Sequence, residues 1–488
     1  MFESDRENDP LITIPEKKRL GGCHTVFILL VVFAMLGVSA SGAIWFLFLR
    51  DQPQERTPVT AVPSQDVLID EGSEPDAPPT PTAVSPLPTI DPADAVASAV
   101  NRIVYIDEAG QIISLEPDGN DVRMVTNAQQ RFRFPAWSPD GRSIAAIGTD
   151  VVGVGLFVLA DDQEAQTPSP LYADDRNAPF YFFWSPDSRQ VSFLASHPDG
   201  MGLHLVPADG SADSRVLTTG APMYWDWTSD SRQILIHSGF AGAESRLELL
   251  EADGNGKGDA IAAPGYFQAP GISADGRYWA YAEEINGSSS RLVVIDRQSG
   301  MMEEQRHDGL VALTWSPTAN QIAFTNGTEQ NDGSFIGPLR LMDAATGEVK
   351  LINREPIVAF FWSPDGRYLA AFSVGRAGEG DINVLAGKNA AGKVSQQQNL
   401  PRLRLLIYDV TLDEGRLLFS FVPTVPFATQ LLPFFDQYAL SHQLWSPTSD
   451  ALVLSMLQNG RNQIFVINTA TGRKRFLAEG LMPFWSPK

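Results

Sequence analysis

The chain has 488 residues, 43% of them hydrophobic, with ten Trp and 27 Phe, which is enough apolar mass for a large buried core and too much for a disordered chain. A formal net charge of −22 excludes a phosphate backbone as the natural partner, because nucleic-acid affinity comes largely from Lys and Arg displacing counterions. Cys23 is the single cysteine and stands at the edge of an apolar run, so the folded part holds no disulfide and no Cys-based metal or redox site.

Residues 1–22 form a short tail, expected on the cytoplasmic side. From Thr25 to Leu49 there is no charged residue, and a helix of this length crosses about 30 Å of hydrocarbon. Residues 23–49 are therefore expected to be a transmembrane helix lying in the lipid bilayer. Lys17, Lys18 and Arg19 precede it while Arg50 and Arg56 follow, a positive-inside bias that places the N-terminus in the cytoplasm and the rest outside the cell membrane. A cleaved signal peptide is the other reading, with Val38-Ser39-Ala40 as cleavage site, although cleavage there would leave Ile44 to Leu49 as an exposed apolar start. Residues 50–100, rich in Pro, Thr, Ser and acidic side chains, cannot offset their ordering entropy by burial and read as an extended stalk.

Beyond Asn101 one phrase recurs: AWSPDGRSIAAIG at Ala136, FWSPDSRQVSFLA at Phe183, DWTSDSRQILIHS at Asp226, GISADGRYWAYAE at Gly271, TWSPTANQIAFTN at Thr314, FWSPDGRYLAAFS at Phe361, LWSPTSDALVLSM at Leu444 and FWSPK at Phe484. Its anchors Trp137, Trp184, Trp227, Ile272, Trp315, Trp362, Trp445 and Trp485 are 47, 43, 45, 43, 47, 83 and 40 residues apart. A period in the forties built from short strands is the signature of propeller blades. Ser-Pro-Asp-Gly suits a type I turn, with Pro setting φ at the second position and Gly tolerating positive φ at the fourth. The apolar segments after it, such as Ser143 to Ile147, read as strands buried on both faces. Arg102 to Asp107, Gln111 to Glu116 and Val122 to Thr126 open the domain without the phrase, and Met482 to Ser486 closes it with nothing following. The two ends are therefore expected to complete one four-stranded blade, leaving no free sheet edge.

The phrase resembles the repeat of TolB-type, WD40-like β-propellers over residues 101–488. That resemblance implies an all-β, eight-bladed propeller closed by its N- and C-terminal strands, with seven blades if the degenerate repeat at Ile272 is not a true one. True WD40 repeats differ, having a Gly-His opening and a Trp-Asp ending absent here, and no TolB-like α/β domain precedes the repeats.

First and third turns are tight, whereas second turns and inter-blade links are long, so one face of the ring is flat and the other decorated. Two insertions, Gly375 to Leu400 and Val422 to Ser441, account for the doubled spacing before Trp445. Function concentrates on such loops. The second carries Phe427, Leu431, Leu432, Phe434, Phe435 and Tyr438, which could be a partner-binding patch or could cap the propeller core. The glycine-rich first insertion lacks the spacings of a phosphate cradle. Glu251 to Asp259 imitates a calcium loop, yet Lys257 occupies a ligand position and Pro264 stands where the bidentate Glu belongs. His197, His204, His237, His307 and His442 are scattered singly, no GxSxG elbow is present, and Asp140, Asp187 and Asp365 belong to turn chemistry. Asn286 and Asn326 head glycosylation acceptor triplets.

No catalytic, metal or cofactor residues are assigned. The expected role is a membrane-anchored, non-catalytic binding or scaffolding module for a protein, peptide or glycan of the cell envelope. Two others remain open: a propeller enzyme of hydrolase or lyase type with its site at the channel mouth, and a sensor subunit working through a membrane partner.

Overall fold

The computed structural model describes residues 100–487 except positions 128, 152, 162–167, 240–244, 255–257, 263, 286–289, 330–334 and 376–401. The expected tail, membrane segment and all but the last residue of the stalk lie outside the described residues. Among the described residues no helix is long and apolar enough to cross a membrane.

The architecture is an all-β propeller. Among the described residues five antiparallel sheets have four strands, one has seven and one has three. In the first, Ile103–Ile106 pairs with Ile112–Leu115 on one side and with Leu481–Trp485 on the other, placing Val104 opposite Phe484. The first and last strands of the described residues therefore share a sheet. Ser486 donates its N–H to Arg102 O at 2.9 Å, and Trp485 Nε1 donates to Asn101 Oδ1 at 2.6 Å. Sheets of four consecutive strands follow, running from Arg131 to Ala173, Pro179 to Gly220, Met223 to Ala262 and Gly271 to His307. The repeat at Ile272 thus builds its own sheet, with Ile272 opposite Trp279. Val349–Trp362 pairs through its first part with Phe335–Asp343 and through its last part with Tyr368–Val374, which fuses two repeats into the seven-stranded sheet. In the last sheet Trp445 makes one bridge to Leu452 where the other repeats place a first strand, of only two residues at Gly271–Ile272.

The repeated phrase is turn chemistry. Gly141 N–H donates to Ser138 O at 2.8 Å with Gly141 at φ +74°, while Asp140 Oδ1 accepts from Ser138 Oγ at 2.6 Å and from Arg142 N–H at 3.1 Å. Asp187 and Asp365 do the same in their turns. The following Arg clamps the far end of the third strand: Arg277 reaches Asp296 and Arg367 reaches Asp409, each guanidinium 4.9 Å from the ring of the Tyr beside it. Second strands are buried on both faces, as Ile144 to Gly148 shows, because neighbouring sheets cover them front and back. Tryptophans stitch adjacent sheets: Trp184 Nε1 donates to Ala136 O at 3.2 Å, Trp362 to Thr314 O at 3.2 Å and Trp445 to Phe361 O at 3.0 Å.

Candidate functional site

Phe427, Leu431, Phe435 and Tyr438 recur at steps of four, four and three residues, the period of one helix face, with no glycine between them. The chain winds accordingly, as a π turn over Phe427–Leu431, a 3-10 turn over Leu432–Phe434 and an α-helix over Phe435–Ser441. Those four side chains, together with Leu432, are buried, whereas Phe434 is 43% exposed. The patch that the sequence offered to a partner is thus spent mostly inside the chain, where burial of each aromatic ring returns about 2 kcal/mol or more, and Phe434 alone still faces outward.

The helix fills the centre of the ring. Tyr438 stacks on Phe134 at 5.6 Å and meets Tyr181 edge-on at 5.2 Å, and Phe435 packs against Phe360 at 4.8 Å. Gln437 makes a two-point bond to one inner strand, accepting from Trp225 N–H and donating to Trp225 O, both at 2.9 Å. Asp436 Oδ2 accepts from Ala269 N–H at 3.2 Å. Inner strands of several sheets are in this way tied to one short helix.

Burial governs the site's electrostatics. Asp436 is pushed up to about 7, its backbone N–H partners pulling only partly the other way, and Asp226, which accepts from Ile272 N–H at 2.9 Å, is pushed to about 7 by the same cause. Burial drives His442 down to about 3 and lowers Arg133, whereas it raises the phenols of Tyr181 and Tyr438. His442 Nδ1 lies 2.8 Å from Ser441 Oγ, which lies 2.8 Å from Tyr181 Oη, which donates to Gln437 O at 3.0 Å. One proton order serves all three links: His442 Nδ1–H to Ser441, Ser441 O–H to Tyr181, Tyr181 O–H to Gln437 O. The His442 ring also makes a hydrogen bond to the backbone of Phe134.

Between the helix's last turn and the Ser-Pro turns of the flat face lies a cavity of about 210 Å³. Its walls include Trp137, Trp184, Trp485, Phe183, Phe484 and His442, with Pro139 and Pro487 at the turns. Among the described residues no side chain lining it is Asp, Glu, Lys or Arg.

The remaining sequence candidates stay dispersed. His204, His237, His307 and His442 are buried one by one, His237 against Phe267 at 4.0 Å. Among the described residues no group of three or more His, Cys, Asp or Glu could hold a metal ion. The calcium-like segment falls partly outside the described residues, and the strands flanking it, Arg246–Glu251 and Asp259–Ala262, pair as a third-turn hairpin. The insertion from Gly375 to Leu400 lies almost wholly outside the described residues, as does Asn286, while Asn326 falls within the strand Gln321–Glu329. Sequence reading missed Gln437 and Asp436 and took His442 only as one of several scattered histidines; the four-four-three apolar spacing around them was the available signal for a helix.

A ring of sheets closed by its first and last described strands and filled by its own helix defines a β-propeller of the plugged kind. No family model matches the sequence, and no curated protein matches it. Among solved structures the chain is similar to TolB from Acinetobacter baumannii, at 18% identity and a TM-score of 0.33 over 51% of this chain. The match spans 65% of that TolB, a little under two thirds of its length. It is also similar to an oligogalacturonate lyase in complex with manganese, at 14% identity and TM-score 0.39 over 77% of this chain and 83% of the other. A third is dihydro-heme d1 dehydrogenase NirN, at 14% identity and TM-score 0.47 over 79% and 75%. At such scores the propeller assignment rests on this chain's own strand pairing.

Proposed function

We propose that the chain is an eight-bladed propeller, held outside a cell membrane by residues 23–49, that acts as a non-catalytic binding or scaffolding module for a protein, peptide or glycan of the envelope. Eight follows from counting Val349–Trp362 as the outer strand of one blade and the inner strand of the next. The observation that carries the binding reading is the helix in the channel. A propeller enzyme would need its acid and base to meet substrate at an open channel mouth. Here Asp436 and Asp226 each accept a backbone N–H, and Gln437 is spent on the main chain of Trp225. Recognition then falls to the decorated face, where Phe434 remains exposed.

A photo-crosslinking residue placed at Phe434 in the full membrane-bound chain tests this, with the same residue at Met301, on a third turn of the flat face, as control. Capture of a discrete envelope component from Phe434 and not from Met301 is expected. Equal capture from both positions, or turnover of a captured peptide or glycan by the purified chain, would sink the reading.

A further inference from the structure

We propose that residues 84–92 of the chain's own stalk dock across the flat-face mouth of the channel, where the cavity takes Leu87, Ile90 and the prolines beside them. This goes beyond the decorated-face reading and stands or falls separately from it, since it concerns the opposite face.

The stalk carries a pattern that a plain spacer does not need. From Pro78 to Ala99 every third residue is apolar, namely Pro78, Pro81, Val84, Leu87, Ile90, Ala93, Val96 and Ala99, whereas all seven Ser, Thr and Asp of that stretch fall at the two positions between. A polyproline II helix has three residues per turn, so the row forms one apolar stripe along it, and Pro79, Pro86, Pro88 and Pro92 favour that conformation. Val84, Leu87 and Ile90 are the bulkiest members of the row. Such a stripe is what a proline-rich ligand presents to an aromatic-lined groove.

The point where the stalk meets the propeller names the groove. Val100 O accepts from Ser486 Oγ, Asn101 Oδ1 accepts from Trp485 Nε1, and a Cβ placed on Gly141 would lie 3.3 Å from Val100 Cβ. Trp485 and Pro487 line the flat-face cavity, and Gly141 closes the turn that contributes Pro139 to it. The stalk therefore leaves the propeller at the cavity's rim. Ten residues of polyproline II span about 31 Å, so Ile90 reaches the mouth, and the tether holds it there at an effective concentration on the order of millimolar. The walls suit this occupant. Pro139, Phe183, Leu440 and Pro487 are only half-buried, so the cavity opens between them, and about 210 Å³ exceeds the ~150 Å³ that admits a benzene ring. Ser441 and Gln443 give the lining a polar share, which a proline segment tolerates because its rings are apolar while its carbonyls stay free to accept. Arg142, exposed beside Gly141, stands where Asp91 or Asp94 can meet it.

The test places a photo-reactive benzoylphenylalanine at Thr89 of the full membrane-bound chain and maps its bonds by mass spectrometry, with the same residue at Val62 as control. Bonds from Thr89 to residues 179–189, 436–443 or 481–487 of the same chain are expected, and none from Val62. Leu87→Ser with Ile90→Ser lies outside the propeller and cannot unfold it; the pair should cut the yield roughly tenfold or more, because burial of two branched aliphatic side chains is worth at least that factor. Bonds spread evenly over both faces, a yield unmoved by the double substitution, or no bond to the propeller at all would each overturn the proposal. Mixing isotopically light and heavy chains tests the source: bonds found only between chains make the occupant a second copy's stalk, and bonds found only to a foreign protein make it a partner, and either result overturns docking within one chain.

Discussion

Ser188 Oγ accepts the backbone N–H of Asp140 at 3.0 Å, joining the Ser-Pro-Asp turn of one sheet to that of the sheet before it. Ser188 holds φ +63°, a left-handed value that the equivalent Gly141, Gly276 and Gly366 adopt freely. The same relation recurs where Ser231 Oγ receives Asp187 N–H at 3.0 Å and Ser449 Oγ receives Asp365 N–H at 3.1 Å, with Ser231 and Ser449 both at φ +61°. Serine at the fourth turn position therefore trades backbone ease for a bond between blades.

The trade has a measurable balance. A left-handed non-glycine residue costs about 1 kcal/mol, and a typical hydrogen bond returns about the same. Ser188→Gly should consequently change unfolding stability by less than about 0.5 kcal/mol, while Ser188→Ala, which keeps the strain and loses the bond, should lose about 1 kcal/mol or more. Urea denaturation of the three proteins separates the terms; an alanine variant as stable as the parent would show that the bond contributes nothing.

Gln437 offers a sharper case, because both of its amide atoms are used on the buried main chain of Trp225. Replacing it with Leu keeps the volume and abandons one N–H and one C=O in a dry environment, at about 1–3 kcal/mol each. We expect Gln437→Leu to lower stability by about 2–5 kcal/mol, and Gln437→Glu to be milder near pH 5 than at pH 8 because only the protonated acid can still donate to Trp225 O. If Gln437→Leu unfolds at the denaturant concentration of the parent, the helix is not anchored through this residue.

Buried acids give the channel a pH signature. Asp436 moves from an ordinary value of 3.8 to about 7 on folding, so the folded state binds more protons between these limits. Its stabilising share is complete below pH 3.8 and is lost as pH rises through 7. Asp226 behaves alike, whereas His442, depressed from 6.5 to about 3, works in the opposite sense and loses its share as pH falls through that window. The raw curve mixes these. Subtracting the curve of Asp436→Asn isolates one group: relative to the variant, the parent should lose up to about 4 kcal/mol between pH 4 and pH 7.5, each pKa unit being worth about 1.36 kcal/mol. A flat difference would mean that Asp436 is hydrated in solution.

The ring is legible in the sequence because its determinants are local and repeated. Ser138-Pro139-Asp140-Gly141 dictates a turn from its own side chains, and an anchor such as Trp184 recurs at the spacing one four-stranded sheet requires. The degenerate repeat at Ile272 keeps its turn, with Ser273 Oγ donating to Asp275 Oδ1 at 2.6 Å, and so keeps its sheet. What cannot be read from spacing is where a single-copy insertion goes. Phe435 finds Phe360, and Gln437 finds Trp225, only because the closed ring brings residues far apart in the chain around one axis. Nor does any motif announce the cavity, whose walls come from three sheets and the helix.

Closure of the first sheet is the relation on which the ring depends. Leu481–Trp485 is the inner strand of a sheet whose other three strands, Ile103 to Met124, open the described domain, so every bond between them fixes a loop of that whole domain. Beyond strand pairing, Ser486 Oγ accepts Arg102 N–H at 3.0 Å, and Arg102 in turn holds Asp121 at 2.6 Å and Asp161 at 3.1 Å, fastening the first sheet to the second. Removing residues 481–488 strips the pairing edge of Ile103–Ile106 and uncovers apolar surface that Phe484 and Trp485 now cover, both 2% exposed. The truncated chain should lose more than about 5 kcal/mol, scatter X-rays as a larger particle and aggregate through its new edge. A milder variant, Asn101→Ala, deletes only the acceptor of Trp485 Nε1 and should cost about 1 kcal/mol with the particle size unchanged. Supplying residues 481–488 as a separate peptide ought to restore compactness to the truncated chain, since the vacated edge presents the same row of N–H and C=O groups; a truncated chain already as compact and stable as the parent would show that the ring closes by other contacts.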